Sequence, residues 1–284
     1  MGIFENILIV SDLDFTFLGE KGALVPRNVE ALTRFRELGG KFTIATGRRL
    51  YDAKRAIPQL EQIVNAPAIL ANGTILYDVV ENAEIDSGVL DFERAYEVVK
   101  FMRRTLPHIG IRVTTDTSVL TDCITPMLQK DCPYGEPWRY RVLPLQTWKP
   151  ETWYKVVCRA KPEETEQFKE LFLAHFGDEY NWCHSEKTIF ELQKKGYHKG
   201  IHIEKLREYY RRRGVDVKIY VCGDYENDFE MLRAADVAVC PDNAIGTVKE
   251  ICDLCLCDHK QGVIADLIEH IEREIKEGKG RGEI

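Results

Sequence analysis

The chain lacks several things whose absence narrows its function. No apolar stretch approaches the ~20 residues that cross a bilayer; the run Ile7-Leu8-Ile9-Val10 is typical, so no membrane span is expected. Basic side chains are not in excess: 39 Lys and Arg stand against 46 Asp and Glu, a formal net charge of -7 at pH 7. That balance argues against a general nucleic-acid binder, which gathers cations on one face, and Arg211-Arg212-Arg213 reads instead as the solvated end of a helix. Nine cysteines in 284 residues are too few and odd in number for a disulfide framework, and a reducing cytoplasm is the expected compartment. Met1 to Asn6 has neither the basic start nor the apolar core of a secretory leader, and Asn6 stands where an N-myristoylation motif carries Ser or Thr. A hydrophobic fraction of 44% with 30% charged residues is that of a folded protein, and this length suits one large domain or two modest ones.

Short apolar runs alternate with helical patterns at both ends of the chain. Ile7 to Val10, Phe42 to Ala45, Ala68 to Leu70, Ile219 to Cys222 and Val237 to Cys240 read as strands buried on both faces. Pro26 to Gly39 opens on proline, repeats Val29, Leu32, Phe35 and Leu38, and stops at Gly39-Gly40, which predicts a helix. Lys199 to Arg213, Asn227 to Ala235 and Gly262 to Glu277 carry the same periodicity. Alternation of this kind predicts an α/β fold, a doubly wound parallel sheet. Residues 81–189 break the rhythm with seven prolines and all four tryptophans, and are expected to form an inserted α+β domain between core segments 1–80 and 190–284. Inside it, Phe92 to Leu106 and Pro162 to Phe176 read as helices, and Ile111 to Thr114 and Tyr154 to Cys158 as strands. Gly278 to Ile284 reads as a frayed tail.

The chemistry-bearing residues sit where these strands end. In extended chain, residues two apart face the same side, so Asp12 and Asp14 can converge at the carboxyl edge of a parallel sheet, where such folds bind ligands; an Asp-rich turn explains the pair equally well. Gly223-Asp224-Tyr225-Glu226-Asn227-Asp228 follows another strand. Carboxylates gathered at two adjacent strand ends repel one another unless a hard cation lies between them, and Mg²⁺ takes oxygen ligands. Thr46-Gly47-Arg48 is expected to open a helix whose N–H groups and dipole suit a phosphate, or simply to cap it. Lys199 can offer an ammonium to the same anion. Cys252, Cys255, Cys257 and His259 resemble a metal cluster on first reading, yet Asp253 to Cys257 alternates like a short strand, and packing is the expected role of these cysteines.

In this order the motifs resemble the haloacid dehalogenase-like superfamily, specifically Cof-type phosphatases with a class II (IIB) cap. Asp12-Leu13-Asp14-Phe15-Thr16 is similar to its first motif, Thr46-Gly47-Arg48 to the second, Lys199-Gly200 to the third, and Gly223-Asp224 with Asn227-Asp228 to the fourth; Asn72-Gly73 and Asn243-Ala244 extend the likeness. The resemblance implies a Mg²⁺-dependent phosphatase. Asp12 would be the nucleophile and Asp14 the general acid and base. The metal would be held by Asp12, the Asp14 carbonyl and Asp224, with Asp228 as ligand or support, and the phosphoryl group by Thr46, Gly47, Lys199 and Asn227. Phe15 stands where glycine is usual, His198 precedes the motif lysine where Ser or Thr is common, and Arg49 follows the second motif; Phe15, Arg48 and His198 are candidate substrate contacts. The first motif is also similar to that of sucrose-phosphate phosphatases.

The expected partner is a small phosphate ester, most simply a sugar or sugar-alcohol phosphate. Trp138, Tyr140, Trp148, Trp153, Tyr154 and Trp182 serve either as the core of the inserted domain or as a platform for a sugar. A hexose phosphomutase or a non-catalytic phosphate-binding module would use the same core residues. No oligomeric state is legible.

Overall fold

The computed structural model describes residues 2–129 and 140–280; Trp138 lies outside them. Its strands are β1 (Ile7–Asp12), β2 (Lys41–Ala45), β3 (Ala68–Leu70), β4 (Ile75–Asp78), β5 (Ala83–Ser87), β6 (Gly110–Thr115), β7 (Val119–Thr121), β8 (Tyr140–Val142), β9 (Trp153–Arg159), β10 (Tyr180–Glu186), β11 (Ile189–Lys194), β12 (Lys218–Cys222), β13 (Val237–Pro241) and β14 (Leu254–Leu256). They form an eight-stranded sheet, β14-β13-β12-β1-β2-β3-β4-β5, and a six-stranded sheet, β10-β11-β9-β6-β7-β8. The chain divides into two compact units, Met1–Asp86 with Lys199–Ile284, and Ser87–His198. Both junctions lie further along the chain than 80/81 and 189/190, because β5 extends the first sheet and β11 is an inner strand of the second.

In the first unit, β14 through β3 pair in parallel, and β4 turns back antiparallel on β3. All six residues of β1 are buried, as a strand covered on both faces requires. Leu8 and Val10 pack with Ile203, Leu206, Met231 and Leu232 from helices Ile201–Arg211 and Phe229–Arg233. Helices Pro26–Glu37 and Val263–Gly280 pack together, tied by Arg34–Glu272 at 2.8 Å and Arg27–Asp266 at 2.5 Å. The last helix runs to Gly280, so the tail expected from Gly278 is helical at its start. The first strand leads through the helix Pro26–Glu37 to β2 on one side, while β12 lies on the other. Strand order therefore reverses at β1, and a crevice opens at its carboxyl end.

The inserted unit is a largely antiparallel sheet with two long helices, Phe92–Thr105 and Pro162–Phe176. Alternation along the strands puts Ile111, Val113, Val156, Cys158, Phe190 and Leu192 into one apolar cluster with Val98, Met102, Phe168 and Phe172. Trp148 and Trp153 are buried in that cluster and Trp182 packs against it, so these three rings belong to a core. On alternate positions stand Arg112, Lys155 and Glu191, also buried. Lys155 Nζ meets Glu191 Oε2 at 2.6 Å, and Ser185 Oγ donates to Glu191 Oε1 at 2.7 Å. Among the described residues, no helix is long and apolar enough to cross a membrane.

Burial alone would push the Glu191 carboxyl up, but Lys155, Arg112 and Ser185 outweigh it and hold it below its ordinary value. Its ionised form therefore favours folding above the ordinary glutamate range, and that contribution disappears as pH falls through the lowered value. Glu191→Gln, which strands the Lys155 ammonium, is expected to cost about 3 kcal/mol at pH 7, with the deficit shrinking at pH 4 and below. Guanidinium unfolding followed by tryptophan fluorescence reads this unit alone, since all four tryptophans lie within Ser87–His198.

Candidate active site

The strand β1 ends at Asp12; Asp14 keeps extended angles (φ -81°, ψ 130°), and the chain reverses at Phe15, the turn closing with the Leu18 N–H on the Leu13 carbonyl. Asp14 lies close enough to repel the charges of Asp12 and Asp224. Asp14 leaves the turn toward Arg48, which grips its carboxylate with Nε at 3.0 Å and Nη2 at 2.9 Å. Asp12 meets residues of the next strand over. One oxygen each from Asp12, Asp224 and Asp228 lies within 4.8 Å of the others, and all three residues are buried. Among the described residues this is the one group of three or more such donors close enough to share an ion.

Parallel pairing sets Ser11 opposite Cys222, so Asp12 and the segment after β12 emerge side by side. Gly223 makes the approach feasible: a Cβ there would lie 2.6 Å from Asp228 Oδ2. The Asp224 N–H donates to Asp228 Oδ2 at 2.9 Å, and Thr16 Oγ1 donates to Asp224 Oδ1 at 2.9 Å, stitching the turn after β1 to the loop after β12. The Lys199 ammonium, wholly buried, donates to Asp12 Oδ1 and Asp228 Oδ1, each at 2.6 Å.

Charges do not balance in this cluster. Burial pushes the Asp12 carboxyl well above its ordinary value against the pull of Lys199, with Asp228, Asp224 and Asp14 adding repulsion. Burial and then Asp228 push Asp224 up to about 7. Burial opposes the charge on Lys199 too, but Asp12 and Asp228 outweigh it and hold the ammonium above its usual range. Four carboxylates, counting Asp14, face two cations, Lys199 and Arg48. Two negative charges are left over in a set of hard oxygen donors, which suits a divalent cation such as Mg²⁺.

The second motif departs from expectation. Thr46 does not open a helix: its N–H donates to Ile69 and its carbonyl accepts from Asn72, and the helix starts only at Leu50, with Arg49 as N-cap. Thr46 Oγ1 accepts from the Arg48 N–H at 3.2 Å. Gly47 is approached by Asn72, whose Oδ1 would stand 3.2 Å from a Cβ there and accepts from Asn227 Nδ2 at 3.2 Å. Thr46, Gly47, Arg48, Asn72 and Asn227 are thus one linked group. His198, half-buried, is the last residue of the inserted unit.

Phe15 takes φ 61° and ψ 9° within the turn after β1. Asn243 Nδ2 donates to its carbonyl at 2.8 Å, and Asn243 Oδ1 accepts from the His259 N–H at 3.0 Å. His259 Nδ1 lies 2.6 Å from the Leu18 carbonyl. That histidine is therefore occupied with the turn, and Cys252, Cys255 and Cys257, all free thiols, do not join it in a metal group. Nothing near His259 in the sequence signals this bond, because its partner is 241 residues away.

A profile described as haloacid dehalogenase-like hydrolase matches residues 9–268. The pyridoxal phosphate phosphatase YbhA of Escherichia coli is 26% identical over 283 residues, covering 92% of this chain and 97% of that protein. The 5-amino-6-(5-phospho-D-ribitylamino)uracil phosphatase YwtE of Bacillus subtilis is 26% identical over 272 residues, covering 85% and 90%. A haloacid dehalogenase-like hydrolase of Bacteroides thetaiotaomicron superimposes with TM-score 0.78 at 22% identity, covering 93% of this chain and 99% of that one.

Lys199→Met, tested in EDTA, is expected to cost about 3–5 kcal/mol, since it leaves Asp12 and Asp228 facing each other without their buried cation. Denaturant unfolding followed by circular dichroism measures it; a loss under 1 kcal/mol would mean that the carboxyl groups are neutral without Lys199.

Proposed function

The chain belongs to the haloacid dehalogenase-like hydrolases, and we propose that it is a Mg²⁺-dependent phosphatase of small phosphate monoesters. One observation carries the proposal: Asp12, Asp224 and Asp228 converge, buried, around Lys199 at the carboxyl ends of β1 and β12. An Asp12 oxygen attacks phosphorus, the bond to the ester oxygen breaks, and Asp14 gives its proton to the departing alcohol. Water then attacks the aspartyl-phosphate, Asp14 takes up its proton, and free phosphate leaves with the Asp12 carboxylate restored. Arg48 is forked onto Asp14 and favours its ionised form, so in this reading Asp14 must let go of Arg48 before it carries a proton to the alcohol.

Lys199 neutralises charge beside Asp12 while Thr46, Gly47 and Asn227 hold the phosphoryl oxygens; the group these three form with Asn72 supports that role. Asp12, Asp224, Asp228 and the Asp14 carbonyl would hold the metal, which supplies positive charge where the transferred phosphoryl group gathers negative charge. A sugar or sugar-alcohol phosphate is the substrate class we favour, supported by a relative named for a phosphoribityl compound beside one named for pyridoxal phosphate.

Phosphate release from a panel of phosphate esters tests the proposal. Asp12→Asn is expected to lower turnover at least ~100-fold with the fold retained, since the attacking group is gone; EDTA abolishes turnover and added Mg²⁺ restores it. Undiminished release by Asp12→Asn would refute the assigned nucleophile, and an isomerised ester without free phosphate would mark a mutase.

A further inference from the structure

Phe15 occupies a place that folding alone does not favour. Its φ of 61° is a conformation that suits glycine and costs a bulky residue. Its ring recovers little of that cost, being 57% exposed; no other phenylalanine among the described residues is exposed. One edge-to-face contact, 5.9 Å to His259, is the ring contact the structure gives it. A glycine would remove both the strain and the exposed apolar surface. Strain kept beside functional residues is the kind of outlier from which a role can be inferred.

The surroundings say what that role is. Phe15 stands between Asp14, whose carboxylate Arg48 holds, and Thr16, whose hydroxyl is on Asp224. Its carbonyl is fixed by Asn243, itself tied to His259. The backbone is therefore held on both sides, and it presents an exposed apolar ring next to the group assigned to protonate the departing alcohol. A ring face attracts another flat or ring-shaped face more than a flexible chain, because a ring brings its contact area without chain rotations to freeze.

We propose that Phe15 is a specificity-determining residue whose exposed ring receives a ring carried by the alcohol of the phosphate ester, either an aromatic ring or the apolar face of a cyclic sugar. This rests on the phosphatase reading above and adds the shape of the leaving group to it.

The test compares kcat/KM for two esters with a ring, benzyl phosphate and glucose 6-phosphate, with two lacking one, ethyl phosphate and glycerol 1-phosphate. Wild type, Phe15→Leu and Phe15→Gly are assayed with Mg²⁺, and thermal midpoints are recorded. In both variants the preference for at least one ring ester over the acyclic pair is expected to fall roughly 2- to 10-fold, the size of one aromatic contact, mainly through KM. Phe15→Gly should melt no lower than wild type, since it relieves the positive φ. A fall for benzyl phosphate alone assigns an aromatic partner, and one for glucose 6-phosphate alone a sugar. Unmoved preferences with active enzyme overturn the inference and leave the phosphatase standing, and a lowered midpoint with them makes Phe15 a structural residue. No turnover of any ester by wild type overturns both.

Discussion

One buried ammonium holds the site together. Lys199 touches Asp12 and Asp228 at once, and without it two carboxylates would be forced close in a place that water does not reach. Three carboxylates in such a place are costly for a fold, and one lysine cannot neutralise them, as the upward displacement of Asp12 and Asp224 shows. The excess negative charge is what a divalent cation would bind.

The backbone is organised to deliver these groups to one point. Parallel pairing of β1 with β12 brings two loops out at the same sheet edge, where the strand order reverses. The turn after β1, which reverses at Phe15, leaves the Asp14 carboxylate on Arg48. Gly223 lets Asp228 come within reach of the loop backbone, and Thr16 ties the two loops by one hydroxyl. From the C-terminal part of the chain, Asn243 and His259 brace the turn through its carbonyls. Two carboxylates two residues apart thereby gain different surroundings: Asp12 is buried among charges, while Asp14 is partly exposed on a guanidinium.

Much of this was legible in the sequence because strands of a parallel sheet are buried on both faces and show as unbroken apolar runs. The runs at Ile7, Phe42, Ala68, Ile219 and Val237 each lie within a strand of the large sheet, and the acidic residues at their ends mark the crevice. The failures share a cause, which is that long-range hydrogen bonds overrode local pattern. Thr46 looked like a helix opening, but its backbone is committed to Ile69 and Asn72. The bond from the His259 ring to Leu18 carries no local signal at all. The junctions of the inserted unit were misplaced because β5 and β11 carry no signal of which sheet they join.

The central claim is that these buried carboxylates form one cation site. Isothermal titration calorimetry of Mg²⁺ into the metal-free protein, wild type and Asp224→Asn, tests it most directly. One ion per chain should bind to wild type, and Asp224→Asn should weaken binding roughly 10-fold or more. Equal affinity in the two proteins, or no binding to wild type, would contradict it.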